Sequence, residues 1–212
     1  MAIALRPARP GDVPLVARVL EMSGRGHLAR GAWDVLFPEP AEREVALLEV
    51  AGGVPSWCHH RVFHVAEHDG EAGAALACFE PAAIGGTSLA EPLGRAFAAL
   101  GVSRERASAA LAPLAAYLRC FPEMPAGTWI VENVGALPSH RRRGLVAALL
   151  ERALEEGTRR GVPRAQISCL IGNEPARRAY ERAGFEVVES LEDPAFEALL
   201  GVPGFVRMAR PL

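Results

Sequence analysis

The chain has 212 residues, half of them hydrophobic, with 23 basic and 25 acidic side chains and a formal net charge of −2. That length supports one domain with a substantial core and does not demand two. The near balance of charge excludes the broad basic surface of a nucleic-acid binder, and no apolar run reaches the roughly 18 residues that a membrane span requires.

In chain order, "IALRPA" predicts a first strand. "GDVPLVARVLEM" predicts a helix, with Asp12 as its cap, Pro14 in its first turn, and Leu15, Val16, Val19 and Leu20 at helical spacing. A second short amphipathic helix is expected over 41–50. Residues 61–81 predict an antiparallel hairpin turning at Asp69-Gly70. Residues 82–126 are rich in Ala and Leu, broken by Gly and Pro, and predict two helices near 88–100 and 103–119. They are too uniform in Ala to bury a core of their own, so 1–212 is expected to be a single domain with a helical insertion at about 82–126. Next come a strand over 128–137 and a helix over 144–160 with the stripe Val146, Leu149, Leu150, Ala153, Leu154 and Gly157. A strand over 164–171, a compact helix in "NEPARRAYERAGF", the strand "EVVES" and the closing strand "GFVRMARPL" complete an α/β pattern.

The N-terminal "MAIALRPARPGDVP" lacks the apolar region and cleavage site of a secretory signal. The four cysteines, Cys58, Cys78, Cys120 and Cys169, are far apart with no CxxC pair. A cytoplasmic location, free thiols and no metal are the expectations.

Three arginines, Arg141, Arg142 and Arg143, stand where a helix begins, at the end that carries roughly half a positive elementary charge. An anion resolves the conflict. Uncapped amides and the helix dipole attract phosphate, Gly144 lets the backbone approach closely, and guanidinium groups add charge-assisted contacts. The spacing fits neither a Walker loop nor GxGxxG. Thirty residues on, Asn173 suits a cap and Pro175 a first helical turn. Ala176, Ala179, Tyr180 and Ala183 share one face, and Gly184 suits a left-handed stop followed by Phe185.

With these residues the chain resembles the GCN5-related N-acetyltransferases. The family pattern R/Q-x-x-G-x-G/A is met by Arg141 to Val146, with Val146 in place of Gly or Ala. The pattern N-x-x-A-x-x-x-Y-x-x-x-G-F is met by Asn173, Ala176, Tyr180, Gly184 and Phe185. The resemblance is firm over 126–190 and does not include 82–126. It implies an α/β (α+β) fold with a mixed, mostly antiparallel central sheet of six or seven strands flanked by helices. It implies acetyl-CoA as co-substrate, with its pyrophosphate on Arg141, Arg142, Arg143, Gly144, Leu145, Val146 and Ala147. The pantetheine arm is expected along Val134, Gly135 and Ala136, with Gly135 at a bulge, and near Asn173.

Acetyl transfer to an amine needs a neutral amine, a stabilised oxyanion and a proton for the departing thiolate. The resemblance and the chemistry both point to Tyr180 as proton donor. Glu132, a carboxylate inside the apolar strand "WIVENV", is the candidate base, with His59, His60 and His64 as alternatives. Trp33, Phe37 and Trp57 are candidates for an apolar acceptor wall, or for core. The function implied is N-acetyl transfer to a primary amine of a small molecule, amino acid or peptide, by a monomer or homodimer. A non-catalytic acyl-CoA-binding module on the same fold is the alternative.

Overall fold

The structure, a computed structural model, describes residues 2–212. Its strands are β1 (Ile3–Pro7), β2 (Phe63–His68), β3 (Glu71–Phe79), β4 (Trp129–Ala136), β5 (Arg164–Leu170), β6 (Glu186–Glu192) and β7 (Gly204–Pro211). Its helices are α1 (Val13–Arg25), α2 (Ala32–Leu36), α3 (Pro40–Gly52), α4 (Ala90–Ala99), α5 (Arg104–Leu111), α6 (Leu114–Cys120), α7 (Leu145–Arg159), α8 (Glu174–Arg182) and α9 (Pro194–Leu200). The seven strands form one sheet in the order β1-β2-β3-β4-β5-β7-β6. Every pairing is antiparallel except β4 with β5. The mixed, mostly antiparallel sheet flanked by helices is thus the architecture expected from the sequence.

Alternation along the strands builds two cores. On one face Phe63, Val65, Ala75, Ala77 and Ile130 pack against Val16, Val19 and Leu20 of α1 and Leu47 and Val50 of α3. On the other, Ala74, Leu76, Val131 and Ile167 meet Leu145, Leu149, Leu150 and Ala153 of α7. Gly157 ends that stripe because a Cβ there would stand 2.8 Å from the Trp129 ring. The β2–β3 turn falls at Asp69 and Gly70, both at positive φ (53° and 88°), which suits the right-handed twist of a hairpin.

Several local expectations are corrected. Asp12 precedes α1 but its side chain does not cap it. The carboxylate accepts from Arg9 N at 2.7 Å and holds the Arg6 guanidinium at 2.6 and 3.0 Å, partners that outcompete the helix amides. The helix expected over 103–119 is two, parted near Pro113, which lacks the amide an uninterrupted helix would use. Residues 194–200, given no element by the sequence pattern, form α9. Asp193 caps it, accepting from Ala195 N (2.8 Å) and Phe196 N (3.0 Å), and Gly201 ends it at φ 81°.

Residues 82–126 bind to the sheet in two places. Leu93, Ala96 and Phe97 of α4 enter the core beside α3. Cys120 joins Leu170, Phe196 and Phe205 in a third cluster, with Tyr117 and Phe121 packed against it. Between them α5 buries no residue.

The helices of the N-terminal third are locked by a buried ion-pair network. Glu21 meets Arg25 at 2.8 Å and Arg43 at 3.0 Å, and Asp34 meets Arg25 at 2.6 Å and Arg43 at 3.3 Å. Arg43→Ala leaves Glu21 and Asp34 paired with Arg25 but removes the buried guanidinium they share and its hydrogen bond to Phe37 O, so it is expected to cost about 1–3 kcal/mol in urea denaturation. Arg43→Met keeps much of the buried volume and loses only the polar contacts, so it is expected to cost less than Arg43→Ala.

Candidate active site

The parallel pairing of β4 with β5 is short. Trp129, Ile130 and Val131 pair with Ala165, Gln166 and Ile167, and beyond them the strands part. A bulge on β4 drives the parting. Ala77 of β3 faces Glu132 and Ala75 faces Gly135, so Asn133 and Val134 share the space opposite one residue. The sequence reading put this bulge on Gly135. The structure puts it at Asn133–Val134, with Asn133 at φ 51°, a conformation asparagine tolerates. Gly135 serves another need, because a Cβ there would lie 3.3 Å from Val19 of α1. The Asn133 side chain accepts from Ser23 Oγ at 3.0 Å and donates to Cys58 Sγ at 3.9 Å.

Glu132 sits at the crotch of the fork. Ser168 Oγ, its neighbour across the gap, donates to Glu132 Oε1 at 2.8 Å. Burial pushes the Glu132 carboxyl up to about 7, against the opposing pull of the Ser168 and Asn133 hydrogen bonds. Tyr180 approaches from α8. Its ring is 6% exposed and its phenol is pushed up by burial, then by Cys169 and Glu132. The hydroxyl makes no hydrogen bond among the described residues. Asn173 caps α8, accepting from Ala176 N at 3.4 Å. Gly184 ends the helix at φ 84°, and Phe185 N closes back on Tyr180 O at 3.1 Å, which fixes the helix end over the fork.

The chain leaves β4 through a turn at 138–140 and enters α7 through the three arginines. Arg142 (φ 63°) and Gly144 (φ 80°) are both left-handed. The strain of a non-glycine residue in that region is of the order of 1–3 kcal/mol, a kind of cost that clusters at ligand-binding turns. The amides of Arg142 through Ala147 donate to no acceptor among the described residues, and the next, Ala148, bonds Gly144 O at 3.1 Å. Arg141 and Arg142 are exposed without an ion-pair partner among the described residues, whereas Arg143 turns aside and donates to His68 Nδ1 at 3.1 Å. Val146 packs against the core under α7, so its branched side chain does not crowd the turn. From here an open groove of about 450 Å³ runs between α7 and α8, lined by Ala147, Leu150, Ala179, Ala183 and Arg182.

The other candidates lie elsewhere. His64 Nε2 pairs with Glu156 of α7 at 2.9 Å. His59 and His60 line a separate cleft with Arg9, Gly52 and Pro55. Burial and the neighbouring His60 and Arg61 push His59 down to about 4. Trp33 and Phe37 are core residues, and Trp57 alone of the three aromatics is half-buried. The sequence reading missed Ser168, Ser23 and Cys58, whose roles depend on strand register and helix placement.

A profile of the Acetyltransferase (GNAT) family matches residues 31–185. Comparison with curated proteins returns no match. Among solved structures, an N-acetyltransferase from Staphylococcus aureus Mu50 superposes with a TM-score of 0.67 at 17% identity, covering 98% of this chain and 100% of that one. The ribosomal-protein-S18-alanine N-acetyltransferase from Escherichia coli superposes at 0.53 with 15% identity, covering 99% and 94%. Rv2747 from Mycobacterium tuberculosis, solved in complex with CoA and NLQ, superposes at 0.51 with 15% identity, covering 99% of each chain. The fold is therefore that of an acyl-CoA-dependent acetyltransferase. The chain belongs to the GNAT acetyltransferase family, which uses acetyl-CoA. No helix among the described residues is long and apolar enough to cross a membrane.

Proposed function

We propose that the chain transfers an acetyl group from acetyl-CoA directly to a primary amine of a small molecule, amino acid or peptide. The observation that carries this reading is the fork itself. A carboxylate with a raised pKa and an unpartnered phenol stand at its mouth, next to a run of free amides at the start of a helix.

The residues present fit acetyl-CoA. The amides of Arg142 to Ala147, with the guanidinium groups of Arg141 and Arg142, are an anion cradle of the right size for a diphosphate. Arg143 contributes its amide, since its side chain is engaged by His68. Past the bulge, Val134, Gly135 and Ala136 no longer pair with β5, which leaves an edge for the amides of a pantetheine arm. Asn173 caps α8 just past the end of β5.

When bound, acetyl-CoA supplies an activated thioester carbonyl. Glu132 removes a proton from the incoming ammonium, for which a carboxyl titrating near 7 is better matched than an ordinary one. Tyr180 holds a proton for the departing sulfur. Burial raises the phenol, but it also raises a thiolate formed in the same dry site, so the proton transfer stays close to balanced. Val146, which departs from the family's Gly or Ala, packs against the core under α7, and this supports the catalytic reading over the non-catalytic one.

The test is mass-spectrometric detection of acetylated products from an amine panel. Tight CoA binding without any product would defeat the proposal. The double variant Arg141→Ala/Arg142→Ala is expected to weaken CoA affinity by about 10- to 100-fold, the loss of two charge-assisted phosphate contacts. It should also flatten the salt dependence of binding, which isothermal calorimetry at several ionic strengths would measure.

A further inference from the structure

The segment between β3 and β4 brings a second tyrosine to the fork. α6 turns back over the sheet and lays Tyr117 on the β5–β7 surface. The Tyr117 ring stacks on Phe121 at 5.7 Å and on Phe196 at 5.6 Å, and meets Phe205 edge-on at 5.5 Å. Leu170 belongs to the same cluster. It lies two residues beyond Ser168 on β5, hence on the same face of the strand as the serine that holds Glu132. Tyr117 therefore stands on the carboxylate's side of the fork, and the Glu132 charge adds to burial in pushing its phenol up.

Around this ring is a partly open apolar wall. Trp57, from the loop before β2, meets Phe121 at 5.8 Å, and Leu28, from the loop after α1, packs into the cluster. Leu28, Trp57, Tyr117 and Phe121 are each only half-buried. The Trp57 indole is already satisfied, donating to Thr87 O at 2.9 Å, so it offers the wall only its ring. The Tyr117 hydroxyl makes no hydrogen bond among the described residues and is not among the sealed, unpartnered polar atoms. The wall thus has apolar surface and one free polar tip on the same side of the fork as the half-buried Glu132 carboxylate.

From this juxtaposition we infer that Tyr117 is a specificity-determining residue of the acceptor side, and that the acceptor is a small primary amine with an aromatic or bulky apolar body. This rests on the acetyl-transfer reading above. The body of the amine lies on Trp57, Tyr117 and Phe121, gaining the usual benefit of apolar burial and ring contact. The Tyr117 hydroxyl accepts a hydrogen bond from the amine nitrogen while Glu132 takes its proton. A diamine or amino acid has to strip water from its second charged group against this wall with no partner in return, a cost that discriminates strongly.

The experiment uses the full chain and acetyl-CoA with 2-phenylethylamine, putrescine and glycine as acceptors. The expected kcat/KM for 2-phenylethylamine exceeds those of the other two by at least about tenfold. Tyr117→Phe keeps the ring stack and so the fold. It is expected to raise the acceptor KM about 5- to 10-fold, the loss of one hydrogen bond, while the KM for acetyl-CoA and the melting temperature stay put. Equal or better turnover of putrescine or glycine overturns the inference and leaves acetyl transfer standing, as does an acceptor KM unmoved by Tyr117→Phe. A chain that binds acetyl-CoA and acetylates no amine overturns both.

Discussion

Tyr180→Phe is expected to lower kcat by about 10²- to 10⁴-fold, the range of a lost proton donor, and to leave CoA affinity within about twofold. The substitution removes one oxygen and keeps the ring that fills the α8–sheet contact, where Tyr180 is 6% exposed. That oxygen has no hydrogen-bond partner among the described residues, so nothing in the fold is orphaned by its loss. A thermal melt is therefore expected to be unchanged or slightly raised, which separates a chemical role from a packing one. Steady-state kinetics with acetyl-CoA varied at saturating amine would check both halves. An unchanged kcat would remove Tyr180 from the reaction.

Glu132→Gln is expected to show opposite effects on activity and stability. As the base, Glu132 must be ionised, so wild-type kcat/KM should rise about tenfold per pH unit below 7 and level off above it. The variant should lose most activity and its inflection near 7. Stability follows the linkage. An unfolded glutamate titrates near 4.5 and the folded one near 7, so between these values the folded state binds the extra proton. Wild-type stability from this group is present at low pH and declines as pH rises from about 4.5 to 7. Glutamine mimics the protonated form, keeps an acceptor for Ser168, and carries no such penalty. Above pH 7 Glu132→Gln should be at least as stable as the wild type in urea. A variant that is markedly less stable at pH 8 would show that the ionised carboxylate is the form the fold prefers, and the base assignment would lose its footing.

Much of the sheet and α7 could be read from local patterning because their apolar periodicity and turn chemistry agree with the tertiary outcome. The Asn173-to-Phe185 stretch is the clearest case: cap, first-turn proline, small-residue face and left-handed glycine all act within one helix. What escaped was set at a distance. Ser168 matters because parallel pairing aligns Val131 with Ile167 and so brings residue 168 beside 132. The bulge slipped from Gly135 to Asn133 because α1 presses on the glycine and the asparagine is anchored by Ser23 and Cys58. Tyr117 is hidden in an alanine-rich run, and only the aromatic cluster with Phe196 and Phe205, some 80 residues on, reveals where it goes. The Asp12 carboxylate had two available uses, and the nearby Arg6 decided between them.

All four cysteines are buried, and burial pushes the thiols of Cys58, Cys78, Cys120 and Cys169 up, the last to about 11. The thiolate is the form that attacks reagents such as disulfides or maleimides, and these groups scarcely populate it at neutral pH. In a continuous colorimetric assay the released coenzyme would then be the fast-reacting sulfhydryl, with the native enzyme contributing almost no background. Slow growth of an enzyme-only signal would in turn serve as a built-in gauge of unfolding.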